Sequence, residues 1–356
     1  MRLRQVAKEK ARSIIHQGRS LWNDATQPLI GPLTQRIERQ KLIQIRSLTR
    51  IKSVVLAEPF KRGCQKLVLF SHYSALGQLQ RCIQREITAL IQDNWDVVLI
   101  STNLNHTALQ WCKEHQIGVV LRRNEGRDFG AFQDGWLWLK RNNLLSSCKK
   151  LILLNDSVYP IINLNESSWP RFLEGNPNSV VGFTDSYENG YHLQSYALHL
   201  PQVAIQSEWL NHYWNHYLGW GGMQRSIRSG EIGLSQLLLQ HGMRLEPLHS
   251  VINIRAQLSS KQLSQNIHSR CSHQASEWIL AELLNSGNSS ISNFSPMHRW
   301  AIPLILDGCP FIKRQLLENN EGRFIDPILI IGNDKNLMNP DELTDYLKPP
   351  ILYFFG

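Results

Sequence analysis

Three short stretches of the chain carry side chains suited to a phosphorylated ligand and a labile proton. The first, RRNEGRDFGAF at residues 122–132, gathers Arg122, Arg123, Asn124, Gly126, Arg127 and Asp128 ahead of an amphipathic segment. Its three guanidinium groups can neutralise a diphosphate. Gly126 permits a close backbone approach or a positive φ, and a helix beginning here would turn unpaired N–H groups toward the anion. An ordinary helix entrance capped by Asp128 accounts for the same residues. The second is NDS at residues 155–157, straight after the apolar run LILL. Asp156 can hold a divalent cation, Mn or Mg, that balances a diphosphate leaving group, and a turn-forming Asn-Asp-Ser cluster is the competing reading. The third, SGEIGLSQLLLQHGMRL, places Glu231 at the start of an apolar-periodic helix. A carboxylate there either takes a proton from a hydroxyl or simply favours the helix dipole.

These residues need a scaffold that brings loops together. From residue 66 the chain alternates short β-branched runs with amphipathic stretches: KLVLFSHY, a helix over about 78–93, WDVVLIST, a helix over 107–116, IGVVLRR, a helix to about 143, then KKLILLNDSVYP and SVVGFTDS. That order predicts a parallel sheet covered by helices, with ligands gathering beyond the carboxyl ends of the strands. LQSYALHL, closed by Pro201, reads as an antiparallel or edge strand. Beyond residue 202 the texture turns helical and aromatic, with no further sheet expected.

Other clusters carry less. His212 and His216 stand one helical turn apart without an evident third metal ligand, and His268, Cys271 and His273 match no common zinc spacing. Trp209, Tyr213, Trp214, Tyr217 and Trp220 recur at helical spacing, which suits a core or a sugar-stacking wall. The segment after the first strand, SHYSALG, lacks the glycine fingerprint of a dinucleotide enzyme.

The net charge of +9 is confined to one end: residues 1–52 hold twelve Lys or Arg against three Asp or Glu, and the remainder holds 26 of each. Two basic amphipathic helices are expected there, lying on an anionic membrane surface or docked on the core, with nucleic acid excluded as the partner. No run of about 18 apolar residues predicts a spanning helix, and no secretory signal is apparent. The six cysteines show no paired spacing and read as free thiols of a reducing compartment. A cytoplasmic protein, peripheral at the inner face of the membrane, is therefore expected.

Four blocks in order, RRNEGRDFGAFQDGWLWL, KKLILLNDSVYPI, SGEIGLSQLLLQHGMRL and HRWAIPLILDGCPFIKRQLL, resemble the rhamnan synthesis protein F family of bacterial polysaccharide and lipopolysaccharide assembly. The layout is also similar to inverting glycosyltransferases of the GT-A fold, in which an N-x-G loop follows the third strand and an acidic motif ends the fourth. The resemblance implies a GT-A-like, Rossmann-type α/β fold: a mixed sheet flanked by helices, with N-terminal amphipathic helices and a helical C-terminal part. The boundaries expected are a basic extension at 1–60, a transferase domain at 61–320 and a tail at 321–356. Within the domain, 61–201 is the nucleotide-sugar half and 202–320 the acceptor part. It further implies transfer of rhamnose or another deoxyhexose from a dTDP-rhamnose-like donor to a glycan or lipid-linked acceptor. Asn124, Gly126, Arg127 and Asp128 would then hold the nucleotide-sugar beside Arg122 and Arg123, Asp156 the metal or diphosphate, and Glu231 the proton. The metal motif of the GT-A pattern usually has two aspartates, and here Asn155 and Ser157 flank only Asp156. A catalytically silent glycan-binding or scaffold subunit is the alternative.

Overall fold

The computed structural model describes residues 50–55, 64–218, 222–258, 261–270, 276–277, 280–281 and 290–318. The expected N-terminal helices, the C-terminal tail, Trp220, Cys271 and His273 lie outside these residues.

The four apolar runs form strands β2 (Lys66–His72), β3 (Asp96–Ser101), β4 (Gly118–Arg122) and β5 (Lys150–Asn155). They pair in parallel, β4 with β3, β3 with β2 and β2 with β5. Helices α1 (Arg81–Gln92), α2 (His106–Glu114) and α3 (Arg127–Arg141) link them. Alternation along each strand divides the side chains between two apolar layers. Val68, Phe70, Val97, Leu99, Ile152 and Leu154 meet α1 and α2, whose inner faces carry Ile83, Ile87, Leu90 and Cys112. Leu67, Leu69, Val98, Ile100, Leu151 and Leu153 meet Phe132, Trp136 and Leu139 of α3. Gly135 lets α3 seat closely on the sheet, because a methyl group there would press into Ile100 and Leu69.

The sheet continues beyond β5 through β9 (Ala197–Pro201), β7 (Ser179–Ser186) and β10 (Arg244–His249). It is a large mixed sheet flanked by helices. β9 is antiparallel, as expected, but it lies inside the sheet between β5 and β7 and not at an edge. The stretch beyond 202 is not purely helical. β10 joins the sheet parallel to β7, and β11 (Phe311–Lys313) pairs antiparallel with β6 (Val158–Pro160) in a separate two-stranded sheet. β10 escapes the apolar pattern because it is a terminal strand of the sheet, where Arg244, Glu246 and even Pro247 are tolerated. At the opposite edge, β1 (Ile51–Val55) pairs antiparallel with β4, so these residues of the expected helical extension at 1–60 form a strand. No helix among the described residues is long and apolar enough to cross a membrane.

Candidate active site

β2, β4 and β5 end on one side of the sheet, and their loops surround a cavity of about 420 Å³. Its walls include Ser71, His72, Tyr73, Thr102, Arg122, Asn124, Arg127, Asp128 and Asp156. The turn at 122–128 and the carboxylate of Asp156 therefore share one space.

The turn is tightly determined. Gly126 adopts φ 73° and Arg127 adopts φ 53°, so two left-handed residues in succession open α3. A non-glycine residue held in that region is strained, and such strain concentrates where a site needs a fixed geometry. Arg122 and Arg123, adjacent in sequence, have opposite fates because β4 is pleated. Arg123 is exposed, whereas Arg122 is 1% exposed and turned inward. Its Nε lies 2.7 Å from Oδ2 of Asp134 on α3, and its Nη2 donates to the carbonyl of Glu125. Arg122 thus braces the turn from beneath as well as lining the cavity. Gly130 completes the brace, since a β-carbon there would meet the Glu125 carbonyl oxygen and come 3.0 Å from the Arg122 guanidinium.

Asp128 does not cap its own helix. The N-cap is Gly126, and the Asp128 carboxylate accepts from Ser71 Oγ at 3.0 Å and from Asn155 Nδ2 at 3.3 Å, tying the ends of β2 and β5 together. The turn role in NDS falls to Asn155, whose Oδ1 accepts from the N–H and the hydroxyl of Ser157. Asp156 is left to face the cavity, with its Oδ2 accepting the Tyr73 N–H at 2.9 Å and standing 3.4 Å from Arg314 Nη1. Burial, then the charge of Asp128, pushes its carboxyl up to about 7. Burial raises Asp128 as well. Behind this pair Glu86, 2% exposed on α1, is pushed up to about 8 by burial and by Asp156. His72 is held at about 4 by burial and by Arg314, so its ring is neutral at physiological pH, and Nδ1 lies 2.9 Å from Ser101 Oγ.

Glu231 is not in the first turn of a helix. Helix α7 (Met223–Arg225) passes into a π-helical stretch, Ser226–Ile232, which runs on as α8 (Gly233–Gln240). Glu231 is inside the π segment, a rare geometry often found at functional sites. Gly230 lets that segment close on Phe129 of α3, where a side chain would collide with the ring. Oε1 of Glu231 accepts from the Ser195 N–H at 2.6 Å and the Ser195 hydroxyl at 3.0 Å, and Oε2 lies 3.8 Å from His192 Nε2. Its charge acts on both Asp128 and Lys313, although Glu231 does not line the cavity itself.

Lys313 and Arg314 were not singled out from sequence. The pairing of β11 with β6 puts Lys313 opposite Val158, and the Arg314 N–H donates to the Ser157 carbonyl at 3.0 Å. The only signal was the pair of cations ending the apolar stretch CPFIKR; nothing local links it to residues 155–157.

Part of the aromatic cluster is packed into the core. Trp214 and Tyr217 are buried against Phe129 and Trp136, and Trp209 stacks on His241. His212 and His216 stack on each other. Among the described residues no three His, Cys, Asp or Glu side chains are grouped to hold a metal ion. Cys64, Cys82, Cys112, Cys148 and Cys309 are buried free thiols.

Comparison with known proteins adds an independent line. A protein of Sinorhizobium fredii described as uncharacterised is 26% identical over 135 residues, 37% of this chain and 35% of its own length. The virulence protein VirA of Vibrio anguillarum is 24% identical over 217 residues, 59% of this chain and 64% of its own. The chain thus spans about a third and just under two thirds of these curated relatives. The family model for rhamnan synthesis protein F matches residues 97–283, more than half of the chain, from β3 through Glu231 and beyond. The chain belongs to the rhamnan synthesis protein F family.

Proposed function

We propose that this protein is a glycosyltransferase of polysaccharide synthesis that moves rhamnose or a related deoxyhexose from a nucleoside-diphosphate donor to a growing or lipid-linked glycan, with inversion. The family points to rhamnan and polysaccharide synthesis. The observation that carries the transferase reading is the shared cavity, in which the Arg-bearing turn at 122–128 and Asp156 meet beyond the carboxyl ends of β2, β4 and β5. A diphosphate in that cavity would find Asn124 and Arg127 on its wall, with Arg123 at the exposed edge of the same turn. The N-x-G turn after β4, the third strand of the parallel set, and the acidic residue after β5, the fourth, follow the GT-A order.

In this reading Glu231, oriented by its two hydrogen bonds from Ser195, takes the proton of the acceptor hydroxyl. The hydroxyl oxygen bonds to the anomeric carbon as the bond from that carbon to the diphosphate oxygen breaks, and the electron pair departs with the diphosphate. Fixed cations and polarised N–H groups around the cavity stabilise that departing charge. Glu231→Gln keeps the shape and both Ser195 contacts. It is expected to lower transfer by roughly 100-fold or more, the scale of general-base catalysis, while donor binding stays within about twofold. Wild-type transfer by the variant would rule out Glu231 as the base, whereas full complementation by the variant, with no transfer by the unaltered chain, would favour a scaffold subunit.

A further inference from the structure

Building on that transferase reading, we propose that Lys313 and Arg314 supply the positive charge that holds the donor's diphosphate, so that its binding needs no divalent cation. The two residues come to the rim of the site from the far end of the described chain through the short β6–β11 sheet, which fixes them against Asp156 and Ser157. Lys313 Nζ lies 3.4 Å from Ser157 Oγ and 5.6 Å from the centre of the Tyr196 ring. The Arg314 guanidinium lies over the Tyr159 ring at 5.7 Å, with Nη1 3.4 Å from Asp156. Aromatic faces beside both cations limit water without cancelling charge, which strengthens their pull on an anion.

The carboxylates of the site are not arranged as a metal's donor set. Both oxygens of Asp128 receive hydrogen bonds, from Ser71 and Asn155, and Oδ2 of Asp156 receives the Tyr73 N–H while facing Arg314. A divalent ion bound through Oδ2 of Asp156 would take the place of Arg314. A diphosphate gains from both cations, and a guanidinium presents donors in the fork that phosphate oxygens match. When diphosphate arrives, Arg314 exchanges its contact with Asp156 for a phosphate oxygen.

The test is calorimetric titration of the full chain with dTDP and with UDP, in excess EDTA and again with millimolar Mg²⁺ or Mn²⁺. The expected result is that at least one nucleotide binds in EDTA with a Kd within about twofold of its value with metal. Lys313→Met and Arg314→Met should each weaken that binding by roughly 10- to 100-fold, the worth of one hydrogen bond to a charged group. The Arg314 variant serves even if Lys313→Met does not fold, and the wild-type metal comparison depends on neither. Binding that is lost in EDTA and restored by the metal, or an unchanged Kd in the folded Arg314 variant, overturns the proposal while leaving the transferase reading intact. Failure of both nucleotides and of dTDP-rhamnose to bind under every condition overturns the two together.

Discussion

Replacing Asp134 by Leu should be among the most damaging single changes available near the site, although Asp134 makes no contact with a ligand in the proposed reaction. The Arg122 and Asp134 side chains are 2% and 7% exposed and 2.7 Å apart, so the variant strands a guanidinium with little access to water. Removing one partner of a buried pair costs ~3–5 kcal/mol, whereas replacing both by apolar groups of similar volume is close to neutral. Urea denaturation should therefore show a loss of ~3–5 kcal/mol for Asp134→Leu and recovery of most of it in Arg122→Met/Asp134→Leu. Donor affinity should not recover in the double variant, because the Glu125 carbonyl has lost its donor and the turn at 123–127 is no longer held from below. A loss under ~1 kcal/mol for Asp134→Leu, or full recovery of affinity in the double variant, would refute the argument that Arg122 braces the turn through a buried ion pair.

Two further outcomes are expected. Asp156 and Glu86 bind their protons more tightly when folded, at about 7 and about 8 against ordinary values of 3.8 and 4.5, so the stability they contribute is full below about pH 4 and is lost as pH rises through 7–8. Thermal melts between pH 5 and 8.5 should fall with rising pH, and Asp156→Asn should flatten that slope by up to ~3 kcal/mol, because only the part of the titration from pH 5 to about 7 lies in the window; identical slopes would count against a raised carboxyl. Deleting residues 1–49, which keeps β1 in place, should sharply reduce co-sedimentation with vesicles containing anionic lipid if the basic segment binds membrane, and unchanged recovery would point to docking on protein.

The parallel strands were legible because each is buried on both faces and reads as an unbroken apolar run, from KLVLFSH to KLILLN. The site loops followed from that, since a loop after such a strand has a known side of the sheet to open on. Strand alternation also held the clue that separates Arg122 from Arg123: with Val120 facing α3, Arg122 two residues later must face it too. The rest was hidden for physical reasons. β6 and β11 are three residues each, too short for any period to declare itself, and their pairing joins positions about 150 residues apart. Glu231 looked like a first-turn residue because the π-helical stretch that contains it, SIRSGEI, has no pattern of its own. β10 carries Pro247 and two charges where an interior strand would carry Val or Ile.

The β6–β11 pairing has a consequence for how the protein comes into being. The sheet that carries Asp128 and Asp156 is encoded before residue 250, yet the cations facing them are encoded at 313 and 314. A ribosome must polymerise past that point, and the segment must clear the exit tunnel, before the carboxylates meet these two counter-charges. Until then the growing chain holds two acidic groups that repel each other, so a half-made copy should be a poor competitor for the donor pool.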